Sequence, residues 1–418
     1  MKQVKTSDLF RVFGRIGLLS FGGPAAQIAL MHRELVDERD WLSEQTFLRA
    51  LSLCMLLPGP EAMQLATYAG WRLKGTLGGL IAGLLFVVPG ACVILVLALA
   101  YAHYGQVPLV QAAFAGIKAA VIIIVLQALL KVSRKALTTP LAWGLAGAAF
   151  IALFVFGLPF PLIILAAAII GLATPGAAQA AEPPAAAALR QNNHPLRTIA
   201  LWGSLWALPV VALWASEAHF LTDIALFFSK LAVVTFGGAY SVLSYMTQTV
   251  VQDFGWITTP QMIDALGLAE TTPGPLILVT QFVALLAGFA EGGVGLALAA
   301  GAICLWVTFV PCFLWIFLAG PYLDLIAARP RLSAALRAIT SAVVGVILNL
   351  AVWFAMHVLF ANIGTLRGTE TPWPDPASWQ PQAFGLTLVA AVLLLVLRRG
   401  MIETLCAMAG LGLLLGAI

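Results

Sequence analysis

Apolar residues run through this chain in long blocks separated by short polar stretches, and the spacing of the blocks predicts a bundle of membrane-crossing helices. Segments long enough to span about 30 Å of hydrocarbon fall at 9–31, 46–74, 76–101, 108–131, 140–156 and 160–174. Seven more follow at 198–216, 220–248, 261–289, 294–319, 336–361, 382–397 and 401–418. The 46–74 and 261–289 segments are interrupted by a Pro-Gly-Pro triplet. The 140–174 region is divided by Pro159 and Pro161, and its counterpart at 382–418 by Arg398-Arg399-Gly400, so each predicts a helical hairpin. The fold class expected is an all-α polytopic membrane protein with about 13 transmembrane segments.

Composition agrees with that pattern. Of 418 residues 61% are hydrophobic and 10% charged, and mean hydropathy is +0.98; soluble domains carry about 25% charged residues. The connections leave no room for a soluble catalytic or nucleotide-binding domain. Gly70 to Thr76, reading GWRLKGT, fails the phosphate-loop pattern. The five cysteines lie in apolar segments without C-x-x-C spacing, and the five histidines form no metal-binding pair. No cofactor, metal or nucleic-acid partner is therefore expected, and an enzyme is not. Arg11 and Arg15 interrupt the first apolar region, which argues against a cleavable signal peptide.

Charge placement orients the bundle. With a cytoplasmic N-terminus, Lys2, Lys5, Arg72, Lys74, Lys131, Arg134, Lys135, Arg190, Arg197, Arg329, Arg331, Arg398 and Arg399 all fall inside. Arg33, Arg39 and Arg367 fall outside. This satisfies the positive-inside rule and puts the C-terminus on the periplasmic side.

One motif pair occurs twice. Ser20-Phe21-Gly22-Gly23-Pro24, Trp41 and Pro58-Gly59-Pro60 are matched 215 positions later by Thr235-Phe236-Gly237-Gly238, Trp256 and Pro273-Gly274-Pro275. The ungapped alignment of 11–60 with 226–275 holds 13 identities in 50 positions. Three regions follow: a first repeat at 1–174, a cytoplasmic Ala/Pro linker plus one unpaired helix at 175–218, and a second repeat at 219–418. The unpaired helix turns the second repeat over, which makes these inverted-topology repeats, the architecture of alternating-access transporters.

Helix breakers at matching places in two halves are the best sequence pointer to a transporter's binding site. Each proline excludes its predecessor from helix and suits the first turn of the next one. Half-helix N-termini offer unpaired N–H groups and a positive dipole end, which together favour anions. The alternative is that the motifs are kinks or tight packing points. Basic residues at membrane depth read as functional. Lys118 lies ten residues into an apolar run, and Arg15 and Lys230 recur five residues before the two FGG motifs. Snorkelling to an interface is the competing account for Arg15, Lys230 and Arg49. Glu61, Gln64 and Tyr68 share a helical face beneath the first triplet, and Glu270 precedes the second. Glu61, Glu270 and Arg49 are candidates for coupling or gating; helix-terminus stabilisation is equally open for Glu61. Gln127 and Asn349 are candidate interhelical hydrogen-bond partners. The connection from His32 to Glu44 is expected to be solvated, with Trp41 and Trp256 as interface anchors.

FGGP, a loop ending in RDW, LPGPE followed by Gln64, and a second FGG…W…TPGP copy together resemble the chromate ion transporter family, in its long-chain form of two fused homologous domains. The resemblance covers nearly the whole chain. It implies a bacterial inner-membrane exporter of chromate that confers chromate resistance, driven by the membrane's electrochemical gradient. It also implies a relation to sulfate handling. The matching positions are Phe21, Gly22, Gly23, Pro24, Pro58, Gly59, Pro60, Glu61 and Gln64, then Phe236, Gly237, Gly238, Pro273, Gly274 and Pro275. Ala239 and Leu276 depart from the first copy's Pro24 and Glu61. The expected partners are a chromate- or sulfate-like oxyanion, the bilayer and a second copy as a homodimer. A sulfate or other oxyanion importer and a passive anion channel remain the alternatives.

Overall fold

The computed structural model describes residues 4–21, 23–174, 194–236, 239–323, 330–366 and 371–416. Glycine and proline set the limits of its helices. The first half gives α1 (Thr6–Leu19), α2 (Gly23–His32), α3 (Glu44–Leu56), α4 (Glu61–Tyr104), α5 (Pro108–Ala136), α6 (Pro140–Phe154) and α7 (Phe160–Ala173). After α8 (Pro195–Ala215), the second half gives α9 (His219–Val234), α10 (Ala239–Gln248), α11 (Thr259–Thr271), α12 (Val279–Ala319), α13 (Pro330–Leu359), α14 (Pro381–Ala391) and α15 (Met401–Gly416). Proline occupies the first position of α5, α6 and α8 and the second of α7, where its missing N–H costs nothing. Among the described residues, five stretches are long and apolar enough to cross a membrane: Glu61–Tyr104, Pro108–Ala136, Pro195–Ala215, Leu276–Tyr322 and Arg331–Leu359. Shorter apolar helices accompany them. The protein is an all-α polytopic membrane protein.

The expected breaks are present. α1 ends and α2 begins around Ser20–Gly23, and α3 and α4 part at Pro58–Pro60. α9 and α10 part after Thr235, and α11 and α12 around Pro273–Pro275. Two further breaks repeat between the halves at an offset of 218. In α4, Lys74 (φ −142°, ψ 29°) and Gly75 (φ 61°, ψ −156°) leave the helical region; in α12, Gly292 (φ −156°, ψ 26°) and Gly293 (φ 73°, ψ −161°) do the same. Each long element is thus a hairpin of two limbs. Gly70 lies against Gly78 and Gly83 against Thr67 across the first hairpin, and Gly288 against Ala297 across the second. Small residues at the seam let the backbones close up where lipid offers no hydrophobic drive.

α1 and α2 bend back on each other. Arg15 Nη1 is 3.5 Å from Glu34 Oε1, whereas a straight run of helix would separate the two residues by about 28 Å. Glu34 is fully buried and also meets Arg39 Nη1 at 2.6 Å. The His32–Glu44 connection therefore differs from the solvated loop expected of it. It coils through a π-turn at Arg33–Asp37, matched in the second half at Thr249–Asp253, and buries one ion-paired carboxylate. The pairing of Glu34 with two arginines offsets its desolvation.

His32 closes this connection through its two ring nitrogens, one to Glu44 and one, at 3.2 Å, to Asp37. The Glu44 contact foremost raises the His32 pKa above its ordinary 6.5. A raised histidine pKa stabilises the fold fully below the unfolded value, and the gain is lost as pH rises through the folded value. Amide exchange in the 33–43 connection should accordingly speed up as pH rises above 6.5, beyond the intrinsic base catalysis. That excess should vanish in His32→Gln; an identical excess in the variant would rule out His32 as its origin.

The chain divides into two compact units, each drawing on both halves. The first comprises Met1–Ala98, Pro175–Ala239 and Thr272–Ala334. Its aromatic packing centres on Trp202 of α8, with ring centroids 5.5 and 5.2 Å from Phe313 and Phe317 of α12. Trp206 Nε1 donates to Ser229 Oγ of α9 at 3.1 Å, so its polar edge is satisfied.

The second unit comprises Leu99–Thr174, Tyr240–Thr271 and Ala335–Ile418. In it α5 packs on α14 and α15 through Ala119, Ala120, Ile123, Ala390, Leu405 and Met408. Gly116 of α5 lies directly on the Met408 carbonyl and Gly412 of α15 on that of Ala112. Gln127 Nε2 donates to the Leu394 carbonyl at 3.2 Å and Asn349 Nδ2 to Ser244 Oγ at 3.4 Å, so both polar residues join helices. A small antiparallel ladder, Ile363–Thr365 with Pro372–Pro374, lies between α13 and α14 and was not foreseen from the sequence.

Candidate functional site

The four breaks meet in the first unit, and they pair across the repeats. Gly59 N donates to the Thr235 carbonyl at 2.9 Å, and Gly274 N donates to the Ser20 carbonyl at 2.9 Å. Gly59 and Gly274 are repeat equivalents, and so are Ser20 and Thr235. Contacts of the form i to j and j to i are the signature of a two-fold relation. The supporting details also repeat. Ser20 Oγ and Thr235 Oγ1 donate to Ile16 O and Leu231 O, each at 2.6 Å, closing the last turns of α1 and α9. Each Pro-Gly-Pro is backed by the long helix of the opposite half. Gly90 of α4 rests on the Pro273 carbonyl, and Cys312 of α12 rests on Gly59.

Glycine is required at the turns by conformation. Gly23, Gly59 and Gly274 have φ of +75°, +117° and +86°, a region costly to side-chain-bearing residues. Gln64 is buried and its Nε2 donates to the Pro58 carbonyl at 2.6 Å, holding the first triplet closed. Gln27, on the second turn of α2, donates from Nε2 to Gly274 O at 2.7 Å and to Ser20 O at 3.3 Å. One amide therefore braces a break in each half.

A cavity opens among these turns, lined by Pro24, Gln27, Pro60, Glu61, Ala62, Thr235, Pro275, Leu276 and Ile277. The first turns of α2 and α4, and the turn Leu276–Leu278 that leads into α12, all face it. The unpaired N–H groups of such turns and their dipole ends suit an anion. Among the described residues, Glu61 is the one charged side chain in the lining. Room for the centre of a water-sized sphere is about 10 Å³, enough for a single water molecule. A tetrahedral oxyanion needs the turns to part.

A family model described as chromate transporter matches residues 7–172 and, again, residues 222–416. The chain belongs to the chromate transporter family. Among curated proteins it is similar to a probable chromate transport protein of Synechococcus elongatus, 33% identical over 348 residues, which is 81% of this chain and 82% of the relative. A chromate transport protein of Pseudomonas aeruginosa is 32% identical over 81% of this chain and 79% of its own. One of Cupriavidus metallidurans is 29% identical over 81% and 80%. No solved structure matches the chain.

In this chromate transporter family member, the sequence candidates divide by location. Pro24, Pro60, Glu61 and Pro275 line the cavity. Phe21, Gly23, Pro58, Gly59, Gln64, Pro273 and Gly274 belong to the turns around it. Gly22, Gly237 and Gly238 lie outside the described residues. Arg15 is exposed and paired with Glu34; Lys230 is exposed on α9, and Arg49 is half-buried on α3. Lys118 and Glu270 belong to the second unit. There Lys118 Nζ is 3.2 Å from Asp264 Oδ1, and Tyr101 donates to Asp264 Oδ2 at 2.7 Å. Glu270 accepts from Tyr240 at 2.7 Å.

Gln27, Asp264 and Tyr101 were not singled out from the sequence. For Gln27 a signal existed. Gly23-Pro24-Ala25-Ala26-Gln27 and Gly59-Pro60-Glu61-Ala62-Met63-Gln64 both place a glutamine one turn past a Gly-Pro break. Asp264 gave no such signal, because its repeat partner is Arg49.

Proposed function

We propose that the chain is a secondary transporter that carries chromate out across the bacterial inner membrane and so confers chromate resistance. The observation that carries this reading is the reciprocal pairing of four broken segments around one cavity faced by helix N-termini. Such turns present N–H groups to a tetrahedral oxyanion without a fixed cation. The chromate transport proteins among its relatives support the choice of ion. Chemistry on the substrate is no part of the reading.

An inverted second repeat is part of this reading, and the course of the chain supports it. Lys74 Nζ donates to Thr6 Oγ1 at 3.1 Å, which supports putting the N-terminal helix and the α4 hairpin tip on one side of the membrane. From there the second limb of α4, α5 and α8 each cross once. The short helices α6 and α7 contribute two crossings or none. An odd total, on this reading, inverts the repeat at 219–418 with respect to that at 1–174. The basic residues at both points support a cytoplasmic assignment for that side and a periplasmic one for the C-terminus.

Export accords with the energetics. With the inside negative, each charge gains about 2.3 kcal/mol per 100 mV, so a dianion leaves downhill without a coupled ion. The test is labelled chromate flux into inside-out vesicles, with membrane potential and pH gradient imposed separately. Saturable uptake driven by an inside-positive potential is expected. Flux of any small anion without saturation would identify a channel, and flux only in the opposite direction an importer.

A further inference from the structure

We propose that the turn Leu276–Leu278 is the gate of the cavity: it rewinds into α12 as the oxyanion enters, and the Leu278 N–H passes from the Pro275 carbonyl to the substrate. The inference rests on the oxyanion-transport reading and adds the element that moves and the donor it uncovers.

The two halves differ here by three residues. Pro60 and Pro275 are 215 positions apart, whereas the hairpin folds at Lys74-Gly75 and Gly292-Gly293 are 218 apart. Glu61 and Val279, which begin α4 and α12, are also 218 apart. The additional residues are Leu276, Ile277 and Leu278. In the first half α4 starts directly after its Pro-Gly-Pro; in the second, these three residues interpose a 3₁₀ turn. All three are apolar and buried, and Leu276 and Ile277 line the cavity, leaving room for a single water.

The attachments of this turn suit it to move. Among the described residues its hydrogen bonds stay within its own segment. Leu278 N donates to Pro275 O at 2.9 Å, Val279 N to the Leu276 and Ile277 carbonyls, and Thr280 Oγ1 to Ile277 O at 2.8 Å. The triplets beside it are instead tied across the halves through Gly59, Gly274 and Gln27. The turn can therefore rewind while those crossed bonds stay in place. Pro275 (φ −68°, ψ 137°) already has the extended backbone of an N-cap, and Leu278 (φ −60°, ψ −14°) is close to α-helical values.

Passing from 3₁₀ to α-helix shortens three residues by about 1.5 Å and turns them by roughly 60°. Leu276 and Ile277 then leave the places they fill in the closed wall. Pro275 O accepts from Val279 N, four residues on, and Leu278 N–H joins those of Leu276 and Ile277 as free donors of a helix start. The first half already has this arrangement at Glu61, and such an end suits an anion. The closed form also leaves Gln27 Oε1 buried in the same wall without a partner among the described residues, an unmet acceptor that opening to solvent relieves.

The experiment uses the full chain in proteoliposomes at a fixed potential. Ile277→Cys is treated with a membrane-impermeant thiol reagent with and without chromate, and the parent chain, with its own five cysteines, gives the background. Labelling should be at least about tenfold faster during transport, because Ile277 is buried in the closed form. Leu276→Ala/Ile277→Ala removes the apolar side chains that fill the closed wall and favours helix. Its half-saturating chromate should fall by about 3- to 10-fold, since a larger fraction of the protein is then open. Hydrogen exchange of the 275–282 segment in the parent chain needs no substitution and should quicken with chromate. Saturable flux with unchanged exchange and unchanged Ile277→Cys labelling would overturn the proposal. So would a folded double-alanine variant with the parent's half-saturation. Absence of saturable flux in the parent chain would instead sink the transport reading, and this inference with it.

Discussion

Asp264→Ala is expected to destabilise the protein by about 3–5 kcal/mol. Asp264 is fully buried, and Lys118, 18% exposed, has its ammonium 3.2 Å away. Removing the carboxylate strands that ammonium at membrane depth and also takes away the acceptor of the Tyr101 hydroxyl. Breaking a buried pair costs far more than replacing it with apolar residues of similar volume. A Lys118→Met/Asp264→Leu double variant should therefore recover most of the loss. The measurement is the thermal unfolding midpoint of detergent-solubilised protein, followed by helical circular dichroism. Equal loss in the single and double variants would show that the pair contributes no more than its separate members. Transport by the double variant settles a second matter. Retained flux would mean that Lys118 serves the fold and not the substrate.

Gly90→Ala should be the other large effect. A Cβ there would run into the Pro273 carbonyl and sit 2.6 Å from Leu278 Cδ1. The Leu278 methyl can turn aside, but the Pro273 carbonyl cannot give way cheaply, because Pro273 precedes Gly274, whose φ is +86° and whose N–H and carbonyl are both engaged. Overpacking of this kind costs about 1–3 kcal/mol and occasionally more, and the displaced turn is part of the cavity wall. Chromate flux should fall below detection even in protein that folds. Gly14→Ala, in α1 with nothing within 4 Å of the added carbon, should leave stability equal or slightly higher. Normal flux in Gly90→Ala would show that the second triplet tolerates displacement.

Much of this arrangement is legible in the residues. Proline and glycine act on the backbone locally, so Gly22-Gly23-Pro24 and Pro58-Gly59-Pro60 announce their breaks without help from tertiary structure. The separation between the 46–74 and 76–101 segments likewise falls where α4 folds at Lys74-Gly75. What escaped depends on distant partners. Nothing near Lys118 in the chain reveals that Asp264 will neutralise it, and a cation at membrane depth then looks available for a ligand. Glu34 was hidden for the same reason, because its burial depends on Arg15 across the α1–α2 bend. Gln27 lay between these extremes: like Gln64 it follows a Gly-Pro break by about one helical turn, but only the fold shows that its Nε2 reaches Gly274 in the other half.

The crossed bonds of Gly59 with Thr235 and Gly274 with Ser20 have a consequence for how such a protein can be divided. Neither half carries the acceptor for its own Pro-Gly-Pro amide; each holds the one the other lacks. A first half synthesised alone would leave Gly59 N without its mate and Ser20 O with Gln27 as its one remaining donor. Two halves supplied as separate polypeptides would restore both bonds at once or neither. Assembly of the cavity should then be all-or-none in the dose of the scarcer fragment, as in an obligate heterodimer that happens to be written on one chain.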